Sequence, residues 1–593
     1  MSTPNSKKTT LFALALLCFG TIAFQSCTEP KVLHVDEHIL TDGWQIIASA
    51  DANADGKAIS SPEQNTDAWI SAKVPTTVLA ALVEAGVHPD PFYADNLDKI
   101  SPEPFQNPWW FRKTFALDDL SPDNESLRLF IDGITYRANI WLNGVQIASQ
   151  DTLYGSFRQF SIDISNVAKP SNVLAFEIFP PQPRDFYMGF VDWAPMPPDK
   201  YMGIYREVRV KRSGKVTLDK PFVKTDVNTE TLSEASLTIE AELTNNSGVE
   251  KQVTISGIIE NIKISKDVTL APNSSETISF IPAEFANLNI SNPRLWWPNG
   301  LGKPEMYALR LQVHENGVLN DEQNVNFGIR KVETYLNASQ VRGYKVNGRE
   351  VLIKSGGWVD DLLLRYQPEK DAAQIRYVKE MNMNSIRLEG FWGNNHNLYD
   401  LCDQNGILIM VGWSCQWEWP DYLGLELEIA EGDENLSIAE GTEIYGVKIS
   451  LEEENLLSDY FRDQVIWLRN HPSIFCWAVG SDAMPKPSLE QKYQTTLDQY
   501  DDTRSLLVSA GQFESTLSGP SGMKMNGPYE YVPPVYWFED QKLGGAFGFN
   551  SETGPGPQIP PVSSIKIMAE AYWWPPMNPM WDYHSGREDF DDH

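Results

Sequence analysis

From about Val35 to Arg212 the chain is written in short runs that alternate apolar and polar positions and break at turn residues. Leu127-Arg128-Leu129-Phe130-Ile131 runs into Asp132-Gly133, and Ala138-Asn139-Ile140-Trp141-Leu142 meets Asn143-Gly144 before Val145-Gln146-Ile147, a hairpin signal. Phe160–Ile164 and Leu174–Ile178 continue with period two, one face apolar and the other wet. No long helical stretch interrupts them, so residues 34–214 are expected to form a β-sandwich of the jelly-roll type. Its loops carry aromatic residues at Trp109, Trp110 and Trp193, placed either for packing or for stacking on a sugar ring.

A second all-β stretch covers 215–331, with Leu237–Ala241, Val253–Ile255, Thr277–Phe280 and Leu309–Val313 as strands. Its length suits an immunoglobulin-like sandwich without the Cys…Trp…Cys core, and it is read as a spacer without chemistry.

At Val332 strands begin to alternate with helices. Glu350–Lys354 is expected as a first strand ending at Gly356-Gly357-Trp358, followed by a helix over 369–381 with Ala372, Ile375, Val378 and Met381 on one face. Asn384–Glu389, Ile407–Val411, Ile474–Asp482, Leu506–Val508, Met523–Met525 and Ala546–Glu552 read as further strands. Helices are expected over 397–404, 456–468 and 489–500, the first of them stopped by Gly406. Seven strands of parallel type over 332–593 predict a (β/α)8 TIM barrel. It is expected to lack its last strand, because only 41 residues (593 minus 552) follow Glu552 and none reads as an eighth. The acid-rich stretch 421–454 is expected as a solvated insertion that could wall a cleft.

Composition narrows the partners. Against 48 basic residues stand 80 acidic ones, for a net charge of −32, which argues against nucleic acid; such acidity usually serves solubility and would also attract a cationic substrate. Lys7 and Lys8 precede the apolar run Leu11–Phe24 and Ser26-Cys27. Residues 1–27 therefore read as a lipoprotein signal peptide with Cys27 as the lipidated residue, and the chain as an exported bacterial lipoprotein anchored in a membrane. Cys402, Cys415 and Cys476 form an odd set in apolar surroundings and are expected as buried small hydrophobes. Neither CxxC nor HExxH occurs, so neither a metal site nor a cofactor is expected.

In such a barrel, chemistry sits at the carboxyl ends of the strands. Those positions hold Asp360 and Asp361, Arg387 and Glu389, Trp413 and Glu418, Asp482, Tyr529 and Glu552. No GxSxG elbow and no phosphate loop occurs, which leaves acyl and phosphoryl transfer unsupported. Acids among aromatics suit a sugar site, and two acids at two strand ends are the minimum equipment of a glycosidase.

Five separated segments carry a family likeness: Gly356-Gly357-Trp358, Arg387-Leu388-Glu389-Gly390, Gly480-Ser481-Asp482, Lys524-Met525-Asn526-Gly527-Pro528-Tyr529 and Phe549-Asn550-Ser551-Glu552. With the domain order they resemble glycoside hydrolase family 2, in its exo-β-D-glucosaminidase (exo-chitosanase) subgroup, where most family members carry Asn-Glu in place of Ser481-Asp482. The resemblance implies a retaining exo-hydrolase of oligosaccharide or polysaccharide, with Asp482 as general acid/base and Glu552 as nucleophile about 5 to 5.5 Å apart. Asp482 would hold its proton and Glu552 would stay charged. Arg387 would either hold Glu552 charged or form a structural pair with Glu389. Asp361 or Glu418 would receive the ammonium group of glucosamine, and Trp413, Trp537 and Tyr529 would wall the site. A β-mannosidase of the same family is the alternative substrate reading. A carbohydrate-binding lipoprotein without turnover is the alternative from another class.

Overall fold

The computed structural model describes residues 33–120, 124–188, 195–389, 393–412, 415–418, 442–525, 527–528, 535–538, 548–554, 561–574 and 578–584. The period-two region folds as two facing antiparallel sheets. One has six strands, ordered 70–72, 44–48, 109–116, 171–179, 137–142 and 145–148; the other has four, ordered 36–39, 208–214, 125–131 and 160–163. Leu127, Leu129 and Ile131 of one sheet and Ile140, Leu174 and Phe176 of the other meet in one buried core, as the alternation requires. The next sandwich pairs 216–227, 234–245 and 275–280 against a four-stranded sheet ordered 262–270, 251–259, 307–315 and 318–327. Lys211 ties the two sandwiches together by an ion pair of 2.8 Å with the fully buried Asp321.

The barrel region departs from expectation at its start. Arg349–Val351 does not begin the parallel sheet; it closes an antiparallel meander with Val332–Leu336 and Arg342–Val346. The hairpin at Asn347-Gly348 turns the chain back on itself, so the first parallel strand is Ser355–Gly357. Ser385–Leu388, Leu408–Gly412, Ile474–Ala478 and Ser505–Leu507 follow in order, giving five neighbouring parallel strands. The sixth and seventh expected strands meet as a single parallel bridge, Lys524 to Asn550, with Lys524 N–H donating to Phe549 O and Ser551 N–H to Lys524 O, both at 2.9 Å. Pro528 has no N–H to continue a ladder.

Helices Pro368–Glu380, Asn397–Asn405, Leu451–Leu468 and Pro487–Tyr500 pack beside the sheet. Leu451–Leu468 starts five residues earlier than its apolar spacing suggests, inside the stretch expected as insertion. Ser450 and Glu453 form a reciprocal capping box there, which satisfies first-turn N–H groups and makes the acids Glu452–Glu454 favourable at the helix start. Of the other acids of that stretch, Glu443 lies in the short helix Thr442–Tyr445, and those from 421 to 440 fall outside the described residues.

Jelly roll and barrel share a core in which Phe157, Phe186, Tyr201 and Tyr205 pack with Trp417, Tyr460 and Trp477. Arg206 locks the seam: its guanidinium lies 4.0 Å over Trp467 and donates to Gly393 O and Gln464 Oε1. Cys402 and Cys476 are free and buried, as expected of small hydrophobes. Cys27, the signal segment and Trp193 lie outside the described residues.

Candidate active site

The ends of the parallel strands gather one arginine and three acids. The strand Ile474–Ala478 runs into Gly480, where a Cβ would come within 2.3 Å of Ala483 O and 2.6 Å of Val508 O. Only glycine fits that close approach, and the turn it permits buries Ser481 while leaving Asp482 exposed. Seventy residues on (552 minus 482), Phe549 anchors the other acid. It packs in the apolar cluster beneath the sheet with Tyr344 and Phe475, and Ser551 Oγ donates to Ala510 O. Glu552 follows directly.

Arg387, on the strand Ser385–Leu388 and itself 7% exposed, holds these parts together. Its Nη1 donates to Glu552 Oε1 at 2.7 Å and lies 3.3 Å from Glu389 Oε1, while Nη2 donates to Ser481 Oγ at 2.7 Å. Both readings open from sequence, a clamp on Glu552 and a pair with Glu389, are thus realised on one guanidinium, with Glu552 the nearer partner. Burial pushes the Glu389 carboxyl up to about 7; Arg387 opposes this, and the charges of Glu552 and Asp482 add to it. Asp482, Glu552 and Glu389 therefore occupy one electrostatic neighbourhood.

Glu418, expected as a ligand for substrate, is engaged with the protein's own backbone. It is buried, and its Oε1 accepts the N–H of Ser481 at 2.6 Å and of Ala483 at 3.2 Å, while Oε2 accepts that of Asp482 at 3.4 Å. A carboxylate that receives three successive N–H groups fixes the turn that carries Asp482. Burial, then the charge of Asp482, raise its pKa to about 8.

Asp361 is likewise engaged within the protein. Oδ1 accepts Arg365 Nε at 2.9 Å and Oδ2 accepts Nη2 at 2.8 Å, a two-pronged pair, with Lys370 at 3.7 Å. Burial alone would raise its pKa; Arg365 outweighs it and holds the carboxyl below its ordinary value. A group depressed in the fold stabilises above its unfolded pKa and loses that contribution as pH falls through the folded one. Asp361→Asn should therefore lower the thermal midpoint at pH 7, and the difference should close on acidification below about 4; an equal deficit at every pH would exclude the pairing as its cause. Neighbouring Asp360, the other acid expected at this strand end, accepts Trp358 Nε1 and the N–H of Gly393, and burial brings it up to about 6.

Trp413 and Tyr529 lie outside the described residues; Trp537 sits in the short helix Val535–Phe538, whose backbone is described there without that side chain. No metal site was expected, yet Asp400, Asp403 and His471 bring donor atoms within 4.8 Å of one another. Both ring nitrogens of His471 are already in hydrogen bonds, to Asp403 at 2.7 Å and to His396 at 2.8 Å. Ser481 as a partner of Arg387 was missed; its replacement of the family's usual Asn was the available signal.

A jelly roll, a second sandwich and a parallel barrel sheet with two acids at strand ends define the architecture of the modular barrel glycosidases. Residues 51–185 match the galactose-binding domain-like region of glycosyl hydrolase 2, residues 216–330 match glycosyl hydrolases family 2, and residues 366–518 match that family's TIM barrel domain. The chain belongs to glycoside hydrolase family 2. It is 36% identical to the exo-β-D-glucosaminidase of Streptomyces avermitilis over 530 residues, covering 89% of this chain and 56% of that protein. A mannosylglycoprotein endo-β-mannosidase of Lilium longiflorum is 27% identical over 630 residues, covering 92% of this chain and 62% of that protein. The exo-chitosanase CsxA of Amycolatopsis orientalis superposes with a TM-score of 0.83 at 33% identity, covering 93% of this chain and 63% of that one. Asp-to-Ala and Glu-to-Ala variants of CsxA have been solved with p-nitrophenyl-β-D-glucosamine. The chain spans 50% to 62% of the length of the glucosaminidases it matches.

Proposed function

We propose that this chain carries the catalytic centre of a retaining exo-β-D-glucosaminidase that removes terminal glucosamine from chito-oligosaccharides. The observation that carries the reading is the Arg387 clamp, which joins Glu552 to the residue preceding Asp482. The glucosaminide complexes of CsxA support the sugar, and so do the gathered carboxylates, Glu389 and Glu552 on the Arg387 guanidinium and Asp482 acting on Glu389, which favour an ammonium group.

In the first step a Glu552 oxygen forms a bond to C1 as the C1–O bond to the leaving sugar breaks, and Asp482 gives its proton to that oxygen. In the second, Asp482 takes a proton from water, the water oxygen bonds to C1, and the bond to Glu552 breaks. Arg387 donates to Glu552 and orients that carboxyl for attack, and Glu418 holds the backbone from which Asp482 acts.

Turnover of aryl β-D-glucosaminide and β-D-mannoside tests the reading. The glucosaminide should be favoured at least about tenfold in kcat/KM, because the clustered carboxylates attract an ammonium group that mannose lacks. Preference for the mannoside selects the β-mannosidase alternative, and saccharide binding by wild type without hydrolysis selects a non-catalytic role. Glu418→Ala addresses the turn that carries Asp482. With the N–H groups of Ser481, Asp482 and Ala483 left without their acceptor, kcat should fall at least about tenfold; an unchanged kcat would mean that the turn holds Asp482 without Glu418.

Export and anchoring through Cys27 belong to the same proposal, supported by the basic, apolar and Ser-Cys succession at residues 7–27. Radiolabelled palmitate should enter the wild-type protein in a bacterial host and be absent from Cys27→Ala.

A further inference from the structure

The immunoglobulin-like sandwich and the barrel enclose a cleft of about 310 Å³ at the ends of barrel strands Ile474–Ala478 and Ser505–Leu507 opposite to Asp482. Five cations line it, Lys224, Arg330, Lys331, Arg469 and Arg504, against two acids, Asp226 and Asp502. In a chain of net charge −32 that local balance is reversed.

Three of the cations have carboxylate partners. Lys224 meets Glu240 at 3.2 Å and Asp502 at 3.1 Å, Lys331 meets Asp226 at 2.8 Å, and Arg504 meets the buried Asp501 at 2.7 Å. Arg330 and Arg469, each 4% exposed, have only carbonyl partners among the described residues. Arg330 donates to Pro472 O and Ile474 O, Arg469 to Tyr500 O and Lys220 O. Arg469 also stacks at 4.5 Å on Phe222, and its buried Nε has no hydrogen-bond partner. Burial, reinforced by Arg504 and opposed by Asp501 and Asp403, pulls Arg330 well below the ordinary arginine value, and burial, opposed by Asp501 and Glu240, brings Arg469 down to about 10, so neither is fully balanced by the acids around it. Two desolvated guanidiniums facing a cleft of ligand size without a direct counter-charge are the arrangement that oxyanions complete, since guanidinium N–H groups match the oxygens of a carboxylate, sulfate or phosphate.

We propose that this cleft binds a small oxyanion, a carboxylate, sulfate or phosphate group either free or carried on an acidic sugar, which braces the second sandwich against the barrel. The site is separate from the glycosidase centre, and its test does not depend on turnover. Thermal midpoints of the full chain are measured with sodium sulfate, sodium phosphate or sodium glucuronate, at ionic strength held constant with sodium chloride. The wild type should show a saturable rise in at least one series, and Lys224→Glu/Lys331→Glu should require at least about fivefold more anion for the same rise. A rise with sulfate or phosphate alone assigns a free anion; a rise with glucuronate alone assigns an acidic sugar. No saturable rise in any series, or the same concentration dependence in the variant, overturns the proposal. Should the variant fail to fold, selenate soaked into wild-type crystals decides: anomalous density between Arg330 and Arg469 supports the site, and its absence overturns it.

Discussion

Glu552→Gly is expected to lower kcat on an aryl β-D-glucosaminide by on the order of 10⁴, the scale set by removing a catalytic nucleophile. Rescue chemistry then separates the two acids. In Glu552→Gly, added azide enters from the vacated face, displaces the aryl oxide at C1 and leaves an α-glycosyl azide. In Asp482→Ala, Glu552 still forms the glycosyl-enzyme, azide replaces the carboxylate at C1, and the product is the β-azide. Chromatographic identification of the anomers checks the assignment, and the opposite pairing of variant with anomer would reverse the two roles. Full activity in either variant would remove that residue from the mechanism.

Arg387→Met carries the second large effect, on both activity and stability. One guanidinium serves Glu552 at 2.7 Å, Ser481 at 2.7 Å and Glu389 at 3.3 Å, and it is nearly excluded from water. Removing it leaves neighbouring carboxylates facing one another without their cation, a change of about 3 kcal/mol for a buried pair stripped of one partner. The loss of kcat/KM should reach about 10² or more, because Glu552 then loses the donor that orients its carboxyl for attack on C1. Arg387 opposes the protonation of Glu389, whose carboxyl sits at about 7, so the stability deficit should be largest above about pH 7 and shrink as pH falls through that value. Denaturant unfolding of wild type and variant at pH 7.5 and pH 4 measures this. A deficit independent of pH would mean that Arg387 acts through packing alone. Glu389, brought up to about 7, would be driven further up in the variant, since the one group opposing its protonation is gone.

The succession of domains was legible in the sequence because periodicity is a local property. Alternation at Leu127–Ile131 and Leu174–Ile178 dictates a sheet with one buried face whatever lies elsewhere in the chain, and both segments enter the jelly-roll core. The change near Val332 from alternation to buried strands and amphipathic helices likewise marked the parallel sheet, and the Asp482 strand end followed from it, while the segment before Glu552 joins by a single bridge. Local signals failed where two of them competed. Glu350–Lys354 has the composition of a strand, but the Asn347-Gly348 hairpin claims Arg349–Val351 first. Leu451–Glu454 reads as part of an acidic loop until the Ser450 capping box is weighed.

What the sequence determined by itself was therefore the sandwiches, the parallel sheet and the two acids at its strand ends. Only the tertiary structure decided which charge meets which. Arg387 finds Glu552 across 165 positions, Glu418 receives backbone N–H groups from 63 to 65 positions away, and Asp361 turns to Arg365 four residues on. Hydrophobic burial is set by the spacing of side chains along one element, whereas an ion pair depends on distance and desolvation in three dimensions, and those exist only once the chain has closed around it.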